Sequence, residues 1–256
     1  MTELIERNVD IPTLAGAMNT FAARPASGPP APLIIVCMDI WGVRPQLFEI
    51  AKRIAAQGYC AVVPNFYHRD GINGFDFRNE RGQTLSMERA SKEQQEAVRQ
   101  HGRALTNAMV DEDVGALLRF LESEPVSQGP AGTVGFCMGG RHAMYIAGMR
   151  PERIVATASL HGTQLVSDRP DSPHRLAELF RGEIYCGYAE HDPYVPPSIA
   201  TTLDDLLGKQ TNVKYRSVTH AGAHHGYSIP DRDVYDHAAA EKDWAEIFAM
   251  FARALR

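Results

Sequence analysis

Cys137 lies in Gly135-Phe136-Cys137-Met138-Gly139-Gly140, a setting that suits a nucleophile. The apolar stretch before it, Ala131-Gly132-Thr133-Val134, reads as the end of a buried strand, and Arg141 to Ala147 after it reads as a helix. Strand, glycine, nucleophile, glycine, helix is the pattern of a nucleophile elbow, with cysteine where serine is more usual. Glycines without Cβ atoms let the strand and helix approach closely, and the head of a helix stabilises an anion. A nucleophilic thiol needs a base, and the base needs an orienting acid. Both follow in the order nucleophile, acid, base that such elbows use. Asp192 sits in Ala189-Glu190-His191-Asp192-Pro193-Tyr194, just past an apolar strand read over 183–188. His225 sits in His224-His225-Gly226-Tyr227, beyond a strand read over 213–218. Three side chains of these types in this order are the set expected for acyl transfer.

The rival chemistries are weaker. His191, His220 and His224 compete with His225, but none forms a helical pair spaced for a metal, so no metal and no organic cofactor is expected. Cys37, Cys60 and Cys186 lie in apolar strand-like runs and read as small buried hydrophobes. No pair of cysteines has redox or metal-knuckle spacing.

The elements that must position the triad alternate along the chain. A short leading hairpin and a turn-rich linker occupy residues 1–30, followed by a continuous apolar strand at 33–38. Helical spacing runs from Pro45 to Gly58, and Cys60 to Pro64 is the next strand. Residues 65–82 are irregular and residues 84–122 are mostly helix formers, so 65–110 reads as a loop and helical excursion. Beyond that come a strand at 132–136, a helix at 139–149, a strand at 154–159, and a helix near 173–181. A strand at 183–188, a helix near 197–207, a strand at 213–218 and a helix near 233–255 complete the series. Repeated strand–helix units predict one α/β domain over 1–256, a mostly parallel sheet with helices on both faces. Such sheets bind ligands beyond the carboxyl ends of their strands, where all three candidate residues fall.

Composition narrows the partners. A net charge of −5 leaves no basic footprint for nucleic acid. No apolar run reaches the roughly 20 residues that span a bilayer, and the first residues lack a signal-peptide core. A cytoplasmic location, a small-molecule substrate, and a monomer or small homo-oligomer are the expectations.

With these motifs in view, the chain resembles dienelactone hydrolases (carboxymethylenebutenolidases) of the α/β-hydrolase superfamily. The resemblance runs over roughly 30–255 and rests on four segments: the Cys137 elbow, Tyr188 to Pro196, Gly222 to Tyr227, and Val63-Pro64-Asn65-Phe66-Tyr67-His68-Arg69. It implies Cys137 as nucleophile, His225 as base and Asp192 as the acid. It also implies an oxyanion hole from the backbone N–H groups of Ile40 and Met138. The reaction implied is cleavage of an activated ester or lactone through a thioester. A thiol-dependent carboxylesterase or thioesterase, and a non-catalytic binding protein on the same scaffold, are the alternatives.

Two positions depart from the family's pattern. Met38-Asp39-Ile40-Trp41-Gly42-Val43 matches a family stretch that carries glutamate, so Asp39 is expected to modulate the thiol with one methylene less reach. The family's substrate-gripping arginine, four residues after the histidine, is replaced by Ile229, with Arg232 nearby and Arg69 or Arg81 able to enter from the irregular loop. Loop position adds Trp41, Phe66, Tyr67, Tyr194 and Tyr227 as expected pocket walls.

Overall fold

A computed structural model describes residues 2–256. The eight strands are β1 (Leu4–Thr13), β2 (Gly16–Pro25), β3 (Leu33–Cys37), β4 (Cys60–Pro64), β5 (Ala131–Phe136), β6 (Ile154–Leu160), β7 (Gly182–His191) and β8 (Val213–His224). They form one sheet in the order β1-β2-β4-β3-β5-β6-β7-β8. β1 and β2 are the expected hairpin; β2 pairs antiparallel with β4, and the strands from β4 to β8 are mutually parallel. Every residue of β3, β4 and β5 is buried, as parallel strands covered on both faces require.

The helices are α1 (Pro45–Ala56), α2 (Lys92–Ala104), α3 (Asn107–Leu121), α4 (Met138–Met149), α5 (Pro197–Leu207) and α6 (His237–Ala254). From β3 through α1 the chain moves to β4 on one side; from β5 through α4 it moves to β6 on the other. Right-handed crossovers in opposite directions place α1 and α4 on opposite faces. α6 joins α1 through Arg53, which pairs with Glu241 at 2.6 Å and covers the Trp244 ring at 5.0 Å. α3 joins α4 through Arg150 and Asp111 at 2.7 Å. The chain therefore reverses its direction of travel between β3 and β5, and a crevice opens beyond their carboxyl ends.

Three elements differ from the sequence reading. The segment near 173–181 holds a single 3₁₀ turn, Pro173–Leu176, because its apolar side chains follow α4: Leu176 and Phe180 lie directly over Gly148. The 84–122 stretch is broken at Leu105 and Thr106, where the Thr106 side chain caps α3 by accepting from Met109 N at 3.1 Å. β8 runs on to His224, six residues beyond the expected 218, paired with β7 across an irregularity at Ala189–His191.

Candidate active site

The sharp turn at Cys137 is dictated by contacts that no side chain could share. A Cβ at Gly135 would lie 2.0 Å from the Gly139 carbonyl oxygen, and one at Gly139 would lie 2.3 Å from that of Cys37. Cys137 itself adopts φ 53° and ψ −117°, a left-handed conformation that costs a non-glycine residue about 1–3 kcal/mol. The strain projects the thiol from the end of β5 at the head of α4, buried to 8% exposure yet on the wall of a cavity.

His225 follows β8 directly, and Asp192 follows β7. Pairing of His191 with His224 brings the two loops level, and the His225 backbone N–H donates to the His191 carbonyl at 3.3 Å. His225 Nδ1 donates to Asp192 Oδ2 at 2.7 Å, which assigns the proton to Nδ1 because a carboxylate only accepts. Asp192 Oδ1 accepts from the backbone N–H groups of Tyr194 at 2.9 Å and Val195 at 3.1 Å, fixing the carboxylate in a turn closed by Pro193. His225 Nε2 is buried without a nitrogen or oxygen partner and faces the Cys137 sulfur. Burial works against charge on this imidazole. The electrostatic coupling to Cys137, the hydrogen bonds to Asp192 and Cys137, and the Asp192 charge outweigh it, and the His225 pKa is pushed up from 6.5 to about 10.

Ile40 follows β3 and Met138 follows Cys137, so both stand at the crevice and line the cavity. Among the described residues neither backbone N–H has a hydrogen-bond acceptor. The loop carrying Ile40 is pinned from behind: Tyr67 Oη donates to the Ile40 carbonyl at 2.9 Å, and Val43 N donates to Asn73 O at 2.7 Å.

The cavity has a volume of about 360 Å³. Of the expected walls, Trp41 and Tyr194 line it, and Tyr194 also stacks edge-on against His225 at 4.9 Å and donates to Glu88 at 2.5 Å. The other expected wall residues lie elsewhere. Phe66 is 1% exposed and packs toward His142, and Tyr67 serves the Ile40 carbonyl as described. Tyr227 is fully buried with its hydroxyl on Asp243 at 2.5 Å. Arg69 turns to the buried Asp113 at 2.5 Å, where it neutralises a charge that water does not reach. Arg81 sits on an exposed turn whose backbone N–H donates to Asn79 at 3.0 Å.

Asp39 also departs from its expected place. It is fully buried, and its carboxylate is taken by Arg44 at 2.7 and 3.0 Å and by Arg232 at 3.3 Å. Two guanidinium groups and the Trp41 backbone N–H engage it, and it is not among the residues that line the cavity.

Two residues of the site escaped the sequence reading. His161, directly after β6, is fully buried with φ 40°; its Nδ1 accepts from the Cys137 backbone N–H at 3.1 Å. Its position at a strand's carboxyl end, followed by Gly162, was the available signal. Arg141 lines the cavity at 5% exposure and bonds only neutral oxygens: Gln164 Oε1 at 2.5 Å, Leu105 O at 3.2 Å and Gly102 O at 3.4 Å. Burial, then the nearby Arg169, lowers its pKa from 12.5 to about 10. Its signal was a charged residue on an otherwise apolar helix.

The histidines that compete with His225 in sequence have partners of their own. His220 pairs with Asp243 at 2.6 Å, and His191 stacks on His224 at 5.0 Å. Among the described residues no group of three or more His, Cys, Asp or Glu side chains is arranged to hold a metal ion, and no helix is long and apolar enough to cross a membrane.

Comparison with known proteins places the chain in a family and a fold. Residues 18–255 match the model of the Dienelactone hydrolase family. A Synechocystis protein named "Putative carboxymethylenebutenolidase" is 26% identical over 252 residues, covering 97% of this chain and 96% of that protein. A Klebsiella pneumoniae crystal structure named "Putative Dienelactone Hydrolase" superposes with a TM-score of 0.84 at 21% identity, covering 98% of this chain and 99% of that one. A dienelactone hydrolase from Anabaena variabilis superposes with a TM-score of 0.65 at 15% identity over 99% of each chain. The chain thus belongs to the dienelactone hydrolase family and is a hydrolase built on the α/β-hydrolase fold.

Proposed function

We propose that this hydrolase cleaves small activated esters or lactones by nucleophilic catalysis, with Cys137 as nucleophile, His225 as acid and base, and Asp192 holding the imidazole. The observation that carries this reading is the unbroken line from Asp192 through His225 to Cys137 on the wall of one cavity. The raised His225 pKa keeps the imidazole protonated through neutral pH, with Nε2 facing the Cys137 sulfur, whose reacting form is the thiolate. The thiolate attacks the carbonyl carbon, and the oxyanion receives the free N–H groups of Ile40 and Met138, where one such donor is worth about 3 kcal/mol. The imidazolium gives its Nε2 proton to the departing alkoxide or enolate. Forming the thioester removes the thiolate charge and its hydrogen bond, two of the causes that raise the His225 pKa. Burial then favours the neutral imidazole, which takes a proton from the incoming water. Hydroxide attack on the thioester releases the acid and restores the thiolate. One titrating group thereby serves as acid and then as base.

A thiolate is a better leaving group than an amine, so an amide would tend to revert to substrate, whereas a stabilised enolate or aryloxide departs. This favours activated esters and lactones, in keeping with the names of the relatives. The cavity wall adds a preference of its own: Arg103, Arg169 and Arg232 are paired with Glu96, Asp171 and Asp39, whereas Arg99 and Arg141 line the cavity without a carboxylate partner among the described residues, which favours a negatively charged substrate. Replacing Cys137 with alanine should abolish hydrolysis of a p-nitrophenyl ester while leaving the melting temperature within a few degrees. Mass spectrometry of the parent enzyme mixed with a slow ester should show one acyl group on the Cys137 peptide. Parent-rate turnover by the alanine variant would end the proposal.

A further inference from the structure

We propose that His161 is a positioning residue that ties the nucleophile's backbone to the loop carrying the base, and so sets the approach of Cys137 Sγ to His225 Nε2. The inference rests on the assignment of Cys137 and His225 above.

Four observations converge on it. His161 is a non-glycine residue at φ 40°, a conformation kept only where the surroundings impose it. It is fully buried, and both ring nitrogens are engaged. Nδ1 accepts from Cys137 N–H at 3.1 Å, which leaves the ring proton on Nε2, and Nε2 donates to Ser228 Oγ at 2.8 Å. Ser228 is itself fully buried, three residues after His225 on the same loop. The His161 ring also meets the His225 ring edge-on at 4.9 Å. One neutral tautomer therefore spans from the elbow to the histidine loop, with Cys137 and His225 at the two ends of the bridge.

The groups that face His161 keep it in that form. Cys137 lies on the elbow; His225, Tyr227 and Arg232 come from the chain after β8; Phe136 comes from β5. Burial first, and then the positive charges of His225 and Arg232, hold the His161 pKa well below 6.5. A proton on Nδ1 would break the bond to Cys137 N–H and set a second cation against the imidazolium. The elbow does not depend on His161 to fold, because Cys137 N–H is also satisfied by the Leu160 carbonyl at 3.0 Å. What His161 supplies is the link to Ser228.

The test compares H161F, H161N and S228A with the parent and with C137A. It uses p-nitrophenyl acetate turnover, melting temperature, and the titration of His225 followed by its ¹³C-labelled ring signal. S228A cuts the bridge without touching the strained residue, and asparagine tolerates the left-handed backbone while keeping an acceptor. The expected result is a fall in kcat of about tenfold or more in H161F and S228A, with KM changed less than about threefold. The His225 titration should also move down from near pH 10 toward its ordinary 6.5. H161N should recover part of both. A merely structural histidine would lower the melting temperature and leave kcat per folded molecule and the His225 titration at parent values, and that result would overturn the inference. Turnover by C137A would instead remove the assignment of the nucleophile. The His225 titration needs no turnover and still judges the bridge.

Discussion

Arg44 grips Asp39 with two parallel hydrogen bonds, Nη1 to Oδ1 at 2.7 Å and Nη2 to Oδ2 at 3.0 Å, on the loop that also presents the Ile40 N–H. Arg44 is held in turn by Asp231 at 2.8 Å, and Arg232 adds a contact to Asp39 at 3.3 Å. The pair thus joins the first loop of the crevice to the segment after His225. Breaking a buried ion pair by removing one partner leaves the other charge uncompensated. Asp39→Asn should therefore destabilise the protein by about 3 kcal/mol, read as a drop in the urea midpoint. Because the Asp39 carboxylate is engaged by Arg44 and Arg232 and does not line the cavity, alkylation of Cys137 by iodoacetamide in the folded variant should stay within about twofold of the parent. A change of an order of magnitude would restore a direct role for Asp39 at the sulfur.

The elbow is a packing constraint before it is a catalytic one. The Cβ added by Gly139→Ala would stand 2.3 and 2.4 Å from the carbonyl oxygens of Cys37 and Met38, which are backbone atoms at the end of a buried strand. They cannot yield without moving β3 and Ile40 with it. The substitution should cost about 3 kcal/mol or more and lower kcat in whatever fraction folds. A folded Gly139→Ala protein with parent stability and turnover would show that the strand and helix are not in contact there.

Acid and base limits of the reaction follow from His225. Its pKa is raised from 6.5 to about 10. The imidazolium needed to protonate the leaving group is therefore present through neutral pH and lost as pH rises through about 10, so kcat/KM should fall there on the alkaline side. The same shift contributes stability that is complete below pH 6.5 and lost between there and about 10. Asp192→Asn removes one cause of the shift, so the alkaline limb should move to lower pH and kcat should drop roughly 10²–10⁴-fold. A profile flat to pH 11 in the parent would separate the imidazolium from the rate-limiting step.

Much of this arrangement could be read from the chain, and the reasons are local. Gly135, Gly139 and the apolar run before Cys137 mark a strand–helix elbow because only a few side chains fit its backbone. Asp192 and His225 are marked by strand ends, since a parallel sheet brings all of its carboxyl edges to one side. What the chain does not mark is the direction in which a side chain beside the crevice turns. Tyr67 and Tyr227 sit at the right loops but point to the Ile40 carbonyl and to Asp243, because their hydroxyls find buried partners there. Asp39 is decided by Arg44, five residues on, and by Arg232, which is remote in sequence. His161 was hidden because its partners, Cys137 and Ser228, come from two other crossovers. Long-range partners of this kind leave no local spacing to detect.

Arg141 gives the substrate preference its sharpest test. It lies one helical turn after Cys137, lines the cavity, and has no carboxylate partner among the described residues. Buried charges are ordinarily paired, and this one faces the space where substrate must lie. Three neutral oxygens hold its Nη groups, while its Nε is buried without a partner. An ester bearing a carboxylate would supply the missing counter-charge, whereas a neutral ester would not. The mono-p-nitrophenyl ester of glutaric acid should accordingly show a KM at least about tenfold below that of p-nitrophenyl butyrate, the magnitude expected of one charge-assisted contact. Arg141→Gln should erase most of that difference by raising KM for the anionic ester alone, with kcat for the neutral ester changed less than about threefold. Arg141→Lys should recover only part of it, because an ammonium keeps the charge but not the planar fork. Equal KM values for the two esters in the parent enzyme would remove the anionic preference and make the guanidinium a structural post for Gln164 and the Leu105 carbonyl.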